Sequence, residues 1–336
     1  MYYVAQRPFY RVMLNYPDFL RGELKIAQHD RMPPWKWFRK TRRRLKQKGG
    51  TRKAQPNPGP SQCHPSLTNV SAEIGCLPLT ALRAAAKKLH IPTSVPDTGL
   101  KAELKKALNV PGEGENTFLQ ALPLSSHEKT QLAKKYLRPP APKSWTDDPD
   151  MWLDSNNISA VMNQYEEAYT KNGVKEFEFM GPFPIDFAAP DPYTKGADGK
   201  QKCLMNEICE IRVEKALKDG TRAIGIVYNL DPHFKSGSHW VANYIDIAGH
   251  VCYYFDSYGM EPPAQVAKFM KWLTTQDPAM KLQYNKRRLQ YSNTECGVYC
   301  IYVIIRLLSG DSFLDITRRR PKDADMLDLR DWIFST

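Results

Sequence analysis

The chain of 336 residues contains no run of 18 or more apolar residues, so the sequence predicts no membrane-spanning helix. Its first residues, Met1-Tyr-Tyr-Val-Ala-Gln-Arg7, include no apolar segment of the kind that a secretory signal peptide requires. We therefore expect a soluble protein that is made in a reducing compartment.

Cysteine is scarce, with seven residues in the whole chain, and none of them has the spacing of a metal site. The nearest candidate, Cys63-His64 with Cys76, offers too few ligands for zinc. In a long chain without a signal peptide, this pattern favours reduced thiols over a disulfide framework. We expect no metal and no other cofactor.

Residues 61–336 have no net charge, because all the excess positive charge lies in residues 1–60, which hold 15 Lys and Arg against 3 Asp and Glu. The basic side chains are densest after Trp35, where tryptophan and phenylalanine alternate with them. Cations neutralise phosphates and aromatic rings stack on bases, so this arm is a candidate nucleic-acid tether. A disordered tail, a nuclear-import signal and an anionic-lipid contact are the alternatives. The residues proposed to bind nucleic acid are Arg39, Lys40, Arg42, Arg43 and Arg44.

Residues 61–140 form the second predicted unit, after a Pro- and Gly-rich linker that ends at Pro60. Helical patterns cover residues 79–89, with Thr80 as a candidate N-cap, and residues 99–108. Two short helices around a Pro-containing loop resemble the SAP-type DNA-binding motif, although a helical docking module fits the same pattern. A Pro-rich join at residues 137–143 then leads to the third unit, residues 141–336.

The third unit mixes strand and helix patterns without strict alternation, which predicts an α+β fold with a mainly antiparallel central sheet. Strands are predicted at residues 177–187, 222–230, 240–247, 251–255 and 281–291. Helices are predicted at residues 158–169, 210–217, 265–274 and 298–308, and residues 190–199 are predicted to be a loop. The last helix is apolar on almost every side, so we expect it to be buried beneath the sheet.

Two of these elements predict a catalytic arrangement. A turn at Ala248-Gly249-His250 makes residues 240–255 a hairpin and brings His239 within a residue or two of cross-strand register with Asp256. Cys296 opens the apolar helix, where unpaired N–H groups favour a thiolate. A cysteine nucleophile needs a base, a group that orients the base, and a donor for the oxyanion.

Histidine and cysteine each have an ordinary structural interpretation as well. We interpret His233 and His250 as surface residues or hydrogen-bonded core residues, and Cys300, one turn beyond Cys296, as a small buried hydrophobic residue.

The order of motifs resembles the clan of SUMO-specific, adenovirus-type cysteine proteases. The motifs are Trp152-Leu-Asp, His239-Trp, Asp256, a glutamine six residues before the cysteine, and Cys296-Gly. Within that clan, Gly237-Ser-His-Trp-Val-Ala and Thr294-Glu-Cys-Gly are most similar to the polyprotein-processing proteases of African swine fever virus and related large DNA viruses. The resemblance covers about residues 145–336 and implies a papain-like core in which a buried helix carries the nucleophile.

The resemblance implies a role for each matching residue. Cys296 would be the nucleophile, His239 the general base and Asp256 the group that orients the base. Gln290 would donate to the oxyanion together with the backbone N–H of Cys296, although Asn293 also carries an amide that could reach it. Some viral members have asparagine where this chain has Asp256, so this chain is nearer the cellular form at that position.

The implied substrate site is a narrow groove, lined by Trp152 and Trp240, that admits only glycine before the cleaved bond. The implied function is a viral cysteine endopeptidase that cleaves structural polyproteins after Gly-Gly-type sites during maturation, inside the virion or at assembly sites in the host cytoplasm. DNA bound by the N-terminal region would be a second partner, and Gly49-Gly50 is a candidate self-cleavage site. A protease that removes SUMO- or ubiquitin-like modifiers and a DNA-binding structural protein of the virion are the alternatives.

Overall fold

A computed structural model describes residues 60–67, 70, 71, 73–148, 150–319 and 321–336. The basic arm, with its proposed nucleic-acid contacts and Gly49-Gly50, lies outside the described residues. In the described part, no helix is long and apolar enough to cross a membrane, and no three potential metal-ligating side chains are grouped together.

The described residues before residue 140 contain four helices, where the sequence predicted two. They are α1 (Leu79–Lys88), α2 (Asp97–Ala107), α3 (Glu115–Ala121) and α4 (Ser126–Tyr136). The first two confirm the predicted helices, but Pro78 rather than Thr80 occupies the N-cap of α1. Ser125 and Glu128 form a capping box at the start of α4, a signal that is visible in the sequence as Ser-x-x-Glu. The four helices share a hydrophobic core of their own, centred on Leu82, Leu100, Leu104 and Phe118.

The remaining chain contains seven helices and nine strands within the described residues. The helices are α5 (Ser155–Ala168), α6 (Asn206–Cys209), α7 (Val213–Lys218), α8 (Ala264–Gln276), α9 (Cys296–Leu308), α10 (Phe313–Arg319) and α11 (Asp323–Ile333). The strands are β1 (Thr170–Lys171), β2 (Val174–Lys175), β3 (Phe177–Pro184), β4 (Pro190–Lys195), β5 (Gln201–Cys203), β6 (Ala223–Asn229), β7 (Trp240–Asp246), β8 (Val251–Phe255) and β9 (Lys281–Tyr284). A 3₁₀ turn spans Lys143–Thr146.

The central sheet has five strands in the order β3-β6-β7-β8-β9. The three middle strands pair antiparallel, whereas β3 and β9 join the edges in parallel. The predicted hairpin is confirmed as β7 and β8, and β6 is its predicted neighbour. The fold is therefore α+β, with helices packed on both faces of the sheet.

Helix α9 lies at the centre of one face. Eleven of its 13 residues are buried, and they share a core with residues of α5, α11 and the sheet. Helix α8 covers the opposite face through Val266, Phe269 and Leu273. The backbone of β6 approaches α9 closely, because a Cβ at Gly225 would lie 3.3 Å from Ile304 Cγ2. The helix that begins at Cys296 is thus held on all sides.

Four of the seven cysteines form disulfides, so the expectation of reduced thiols is wrong for them. Cys63 pairs with Cys76 beside the helical module, and Cys203 pairs with Cys209 between β5 and α6. Their Cα atoms are 5.1 and 6.5 Å apart, within the reach of a disulfide. Cysteine spacing alone does not predict this proximity, because the turns that create it depend on the surrounding fold. The three free cysteines are buried.

Two local expectations are also corrected. The predicted loop at residues 190–199 contains β4, which pairs with β5 as an exposed two-stranded ribbon. Its prolines concealed the strand, because proline cannot donate to a ladder and weakens the sequence signal. The strand predicted to reach Tyr291 ends at Tyr284, so Gln290 lies in an irregular segment between β9 and α9.

We predict that Ile304→Ala lowers the free energy of unfolding by about 2–5 kcal/mol, because the side chain is fully buried between α9 and β6. Denaturant unfolding measures the change. The control is Leu314→Ala on α10. Because Leu314 is 53% exposed, this substitution should lower the free energy of unfolding by less than about 1 kcal/mol, as expected for a surface site. Equal effects of the two substitutions would contradict the burial of α9.

Candidate active site

The central contact of the site joins His239 to Asp256. His239 directly precedes β7 and Asp256 directly follows β8, so the hairpin register brings the two side chains together. His239 Nε2 lies 2.8 Å from Asp256 Oδ1. The carboxylate also accepts the backbone N–H groups of Tyr258 at 2.9 Å and Met260 at 3.3 Å. These bonds fix the carboxylate while it orients the imidazole.

Asn285 holds the backbone of Asp256 from the neighbouring strand. Its Oδ1 accepts the N–H of Asp256 at 2.9 Å, and its Nδ2 donates to the carbonyl of Asp256 at 2.6 Å. Asn285 was not among the site residues predicted from the sequence. The available signal is that Asn285 follows β9 as Asp256 follows β8, since paired parallel strands end at the same edge of a sheet.

Cys296 is the first residue of α9 and is buried. Its thiol interacts with the imidazole of His239, and because Asp256 occupies Nε2, Nδ1 is the ring nitrogen left for the sulfur. Burial lowers the pKa of His239, but hydrogen bonds to Asp256 and Cys296 and their negative charge raise it to about 9. His239 is therefore an imidazolium at neutral pH, and it lies beside a sulfur at the N-terminus of α9, a position that stabilises negative charge.

Tyr258 and Arg288 extend the site on one face of the imidazole. The ring of Tyr258 stacks on His239 with centroids 4.7 Å apart and planes 19° apart. The guanidinium of Arg288 lies 4.9 Å from the same tyrosine ring, and also 5.1 Å from the ring of Tyr291. Neither Tyr258 nor Arg288 was singled out from the sequence, because their contacts join three separate segments.

Gln290 has the burial and the free donor that an oxyanion hole requires. Its Oε1 accepts the hydroxyl of Ser257 at 2.6 Å, which orients the amide so that Nε2 is left as the donor. Nε2 is buried and has no hydrogen-bond partner among the described residues. An unpaired buried donor costs about 1–3 kcal/mol, so its persistence points to a function. Asn293, the alternative from the sequence, is exposed.

Asp323 on α11 fixes the loop that carries Gln290 to the nucleophile. Its carboxylate accepts the N–H groups of Tyr291 at 2.9 Å and Ser292 at 2.8 Å, and the hydroxyl of Tyr299 at 2.9 Å. This residue was also missed, because an aspartate in the first turn of a helix ordinarily predicts only a favourable helix terminus.

A buried ion pair holds Glu295, the residue before Cys296. Arg330 donates from Nε to Glu295 at 2.9 Å, and a second nitrogen lies 2.7 Å from the other carboxylate oxygen. The same guanidinium donates to the carbonyl of Met151 at 2.7 Å, beside the tryptophan segment. Burial raises the pKa of the Glu295 carboxyl, and Arg330 opposes that shift. The pair therefore connects the nucleophile segment to the groove wall.

A groove of about 420 Å³ lies beside the site, and both predicted tryptophans line it. Trp240 is buried and donates from Nε1 to the carbonyl of Leu153 at 2.9 Å, whereas Trp152 is 41% exposed. Gly297 packs under this wall, since a Cβ there would lie 3.1 Å from Leu153 and 3.3 Å from Trp240. None of the four predicted catalytic residues lines the groove, and Trp240 links it to His239, the preceding residue.

The ordinary interpretations of three other residues are confirmed. His233 and His250 are exposed, each with Nδ1 2.7 Å from a carboxylate, that of Asp186 or Asp277. Cys300 is fully buried, and burial raises the pKa of its thiol well above the usual value.

The sequence is similar to viral proteins that carry protease names. A protein of Acanthamoeba polyphaga mimivirus named as a thiol protease is 33% identical over 175 residues, which are 49% of this chain and 50% of that protein. A SUMO-1 cysteine protease of African swine fever virus is 32% identical over 192 residues, which are 54% of this chain and 67% of that protein. The chain belongs to this family of viral cysteine proteases. The matched region spans half the length of the mimivirus relative.

The crystal structure of the African swine fever virus protease confirms the fold of this viral protease. It superposes with a TM-score of 0.59 and 22% identity, and covers 82% of this chain and 96% of the other. No family model matches the sequence.

We predict that the His239 imidazole of the viral protease titrates with an apparent pKa near 9 and that Asp256→Asn lowers this pKa towards the ordinary value of about 6.5. The reason is that the charged imidazole loses a hydrogen-bonded anion. NMR titration of the imidazole protons measures both values.

The direction of the His239 pKa shift also predicts how the stability of the protein changes with pH. Because the folded pKa is raised, the stabilising charge on His239 is complete below about pH 6.5 and is lost as the pH rises through about 9. A titration in which Asp256→Asn leaves the His239 pKa unchanged would contradict the assigned contact.

Proposed function

We propose that this chain is a viral cysteine endopeptidase that cleaves structural polyproteins after Gly-Gly-type sites during virion maturation. The observation that carries the proposal is the line of contacts from the thiol of Cys296 through His239 to Asp256. The free amide donor of Gln290 adds the remaining group that acyl transfer needs.

The geometry supports the following mechanism. The proton of the Cys296 thiol is held at Nδ1 of the His239 imidazolium, and the sulfur attacks the substrate carbonyl. The oxyanion is stabilised by Gln290 Nε2 and by the N–H of Cys296, which has no intrahelical acceptor at the first position of a helix. The imidazolium then gives its proton to the leaving amine. Water activated by His239 hydrolyses the thioester and restores the thiol.

The groove supports glycine as the residue before the cleaved bond. Trp240 is held by its bond to Leu153, and the tight packing around Gly297 leaves that wall little room to retreat. An indole wall next to the nucleophile excludes substrates with a side chain at the position that must pass it. Glycine is the residue that avoids this clash.

The viral relatives extend the proposal to the virion. Relatives of the chain are proteins of large DNA viruses, so we assign the cleavage to structural polyproteins inside assembling particles or at assembly sites in the host cytoplasm. DNA binding through Arg39, Lys40, Arg42, Arg43 and Arg44 stays a prediction, since these residues lie outside the described part.

A second candidate is cleavage of a SUMO- or ubiquitin-like modifier. The African swine fever virus relatives are named SUMO-1 cysteine proteases, and the chemistry of the two reactions is the same.

The purified chain should hydrolyse a quenched fluorescent peptide that contains Gly-Gly-X, and Cys296→Ala should reduce kcat/KM by about 10⁴-fold or more because the nucleophile is lost. The matched control is Cys300→Ala, one turn further along α9, which should keep the activity because its thiol is fully buried away from substrate.

The same assay with a folded modifier fusion separates the two candidates. Faster cleavage of the peptide supports polyprotein processing. Cleavage of the fusion alone would replace the proposed substrate with a folded modifier, and equal loss of activity in both cysteine variants would exclude Cys296 as the specific nucleophile.

Gln290→Ala should lower kcat by about 10²- to 10³-fold with little change in KM, because the lost donor acts on the developing oxyanion rather than on bound substrate. Asn293→Ala, three residues away on an exposed position, should retain most of the activity. Steady-state kinetics on the Gly-Gly-X peptide measure both. The reverse ranking would assign the oxyanion hole to Asn293.

A further inference from the structure

The two halves of a peptide substrate meet different surfaces of this site. The acyl half enters along the groove that ends at Trp240. The leaving amine must lie beside the imidazole of His239, which protonates it. Tyr258 stacks on that imidazole, and neither Tyr258 nor Arg288 contributes to the groove. The surface formed by Tyr258, Arg288 and Tyr291, called the exit surface below, therefore faces the leaving half of the substrate.

Arg288 is held in a defined position on the exit surface. Its guanidinium lies over two rings, 4.9 Å from that of Tyr258 and 5.1 Å from that of Tyr291. Its Nε donates to the carbonyl of Gln290 at 2.6 Å. The two terminal nitrogens make no hydrogen bond to the described residues. A planar guanidinium fixed at one end and free at the other is suited to a carboxylate.

The charge of Arg288 is not balanced by an ion pair within the described residues. Lys286, Arg287 and Arg288 are consecutive and exposed, and none forms an ion pair within the described part of the chain. Asp323, which binds the nearby loop, already accepts two backbone N–H groups and the hydroxyl of Tyr299. A cationic surface beside a catalytic centre attracts an anionic ligand.

We propose that Arg288 determines specificity by binding an acidic side chain in the leaving half of the substrate, two or three residues after the cleaved bond. The ring stack places the guanidinium within about 10 Å of the imidazole, which is the length of two or three extended residues at about 3.4 Å each. The inference rests on the proposed endopeptidase function and names a substrate feature that this function leaves open.

The test uses quenched peptides that share a Gly-Gly acyl half and carry Glu, Gln or Lys at the second and third positions of the leaving half. The wild-type chain should cleave the Glu peptide with a kcat/KM about fivefold above that of the Lys peptide, and the ratio should fall at high salt. Arg288→Gln should remove the preference and Arg288→Glu should reverse it. Arg287→Gln, its exposed neighbour of equal charge, should keep the wild-type ratio.

A substrate with the same acyl half and an aminocoumarin leaving group separates specificity from positioning. Arg288 also holds the carbonyl of Gln290, so a positioning role would slow all substrates alike. A larger loss for the Glu peptide than for the aminocoumarin substrate supports the proposal. Equal losses, or equal cleavage of Glu and Lys peptides by the wild-type chain, would overturn it.

Binding provides a readout that does not depend on turnover. Fluorescence anisotropy of the intact peptides with Cys296→Ala should show tighter binding of the Glu peptide, and Cys296→Ala/Arg288→Gln should show no difference. If the wild-type chain hydrolyses no peptide but the Glu peptide still binds more tightly, the result counts against the proposed function and not against the Arg288 site. Equal Kd values for the Glu and Lys peptides would count against the Arg288 site.

Discussion

The burial of α9 is the constraint on which the site depends. A helix that is apolar on nearly every side has to be enclosed, and here the sheet, α5 and α11 enclose it. Its first residue, Cys296, is therefore fixed at a helix N-terminus, near the start of β7 and the end of β8, where His239 and Asp256 lie. A nucleophile on such a support loses little conformational freedom when substrate binds, which is an advantage for a reaction that depends on orientation.

Around that helix, the site is held by polar groups that have few alternative hydrogen-bond or ion-pair partners. Asn285 clamps the backbone of Asp256, Ser257 orients the amide of Gln290, and Arg330 pairs with Glu295 beside the nucleophile. Buried polar groups are costly when unpaired, so each satisfied pair excludes other arrangements of its segment. The amide nitrogen of Gln290 has no hydrogen-bond partner among the described residues, and it has the chemistry that an oxyanion would satisfy.

Sequence reasoning failed where a signal was weak or depended on contacts between distant segments. The β4–β5 ribbon was missed because prolines interrupt it, and α3 and α4 were missed although Ser125 and Glu128 announce the start of α4. The two disulfides were missed because cysteine spacing alone does not show which turns bring sulfur atoms together. Gln290 was assigned to a strand, yet it lies in an irregular loop that Asp323 fixes from another helix.

The sequence by itself determined the elements that local pattern controls. The β7–β8 hairpin follows from its β-branched and aromatic residues and its turn, so the proximity of His239 and Asp256 could be predicted. The buried helix follows from its continuous apolar surface, so the position of Cys296 at a helix start could be predicted as well. Only the tertiary structure decided that Gln290 is buried with a free donor, that Asn293 is exposed, and that Arg288 lies over Tyr258. The physical reason is that burial and side-chain partners depend on which segments pack together, and those contacts join residues that are far apart in the chain.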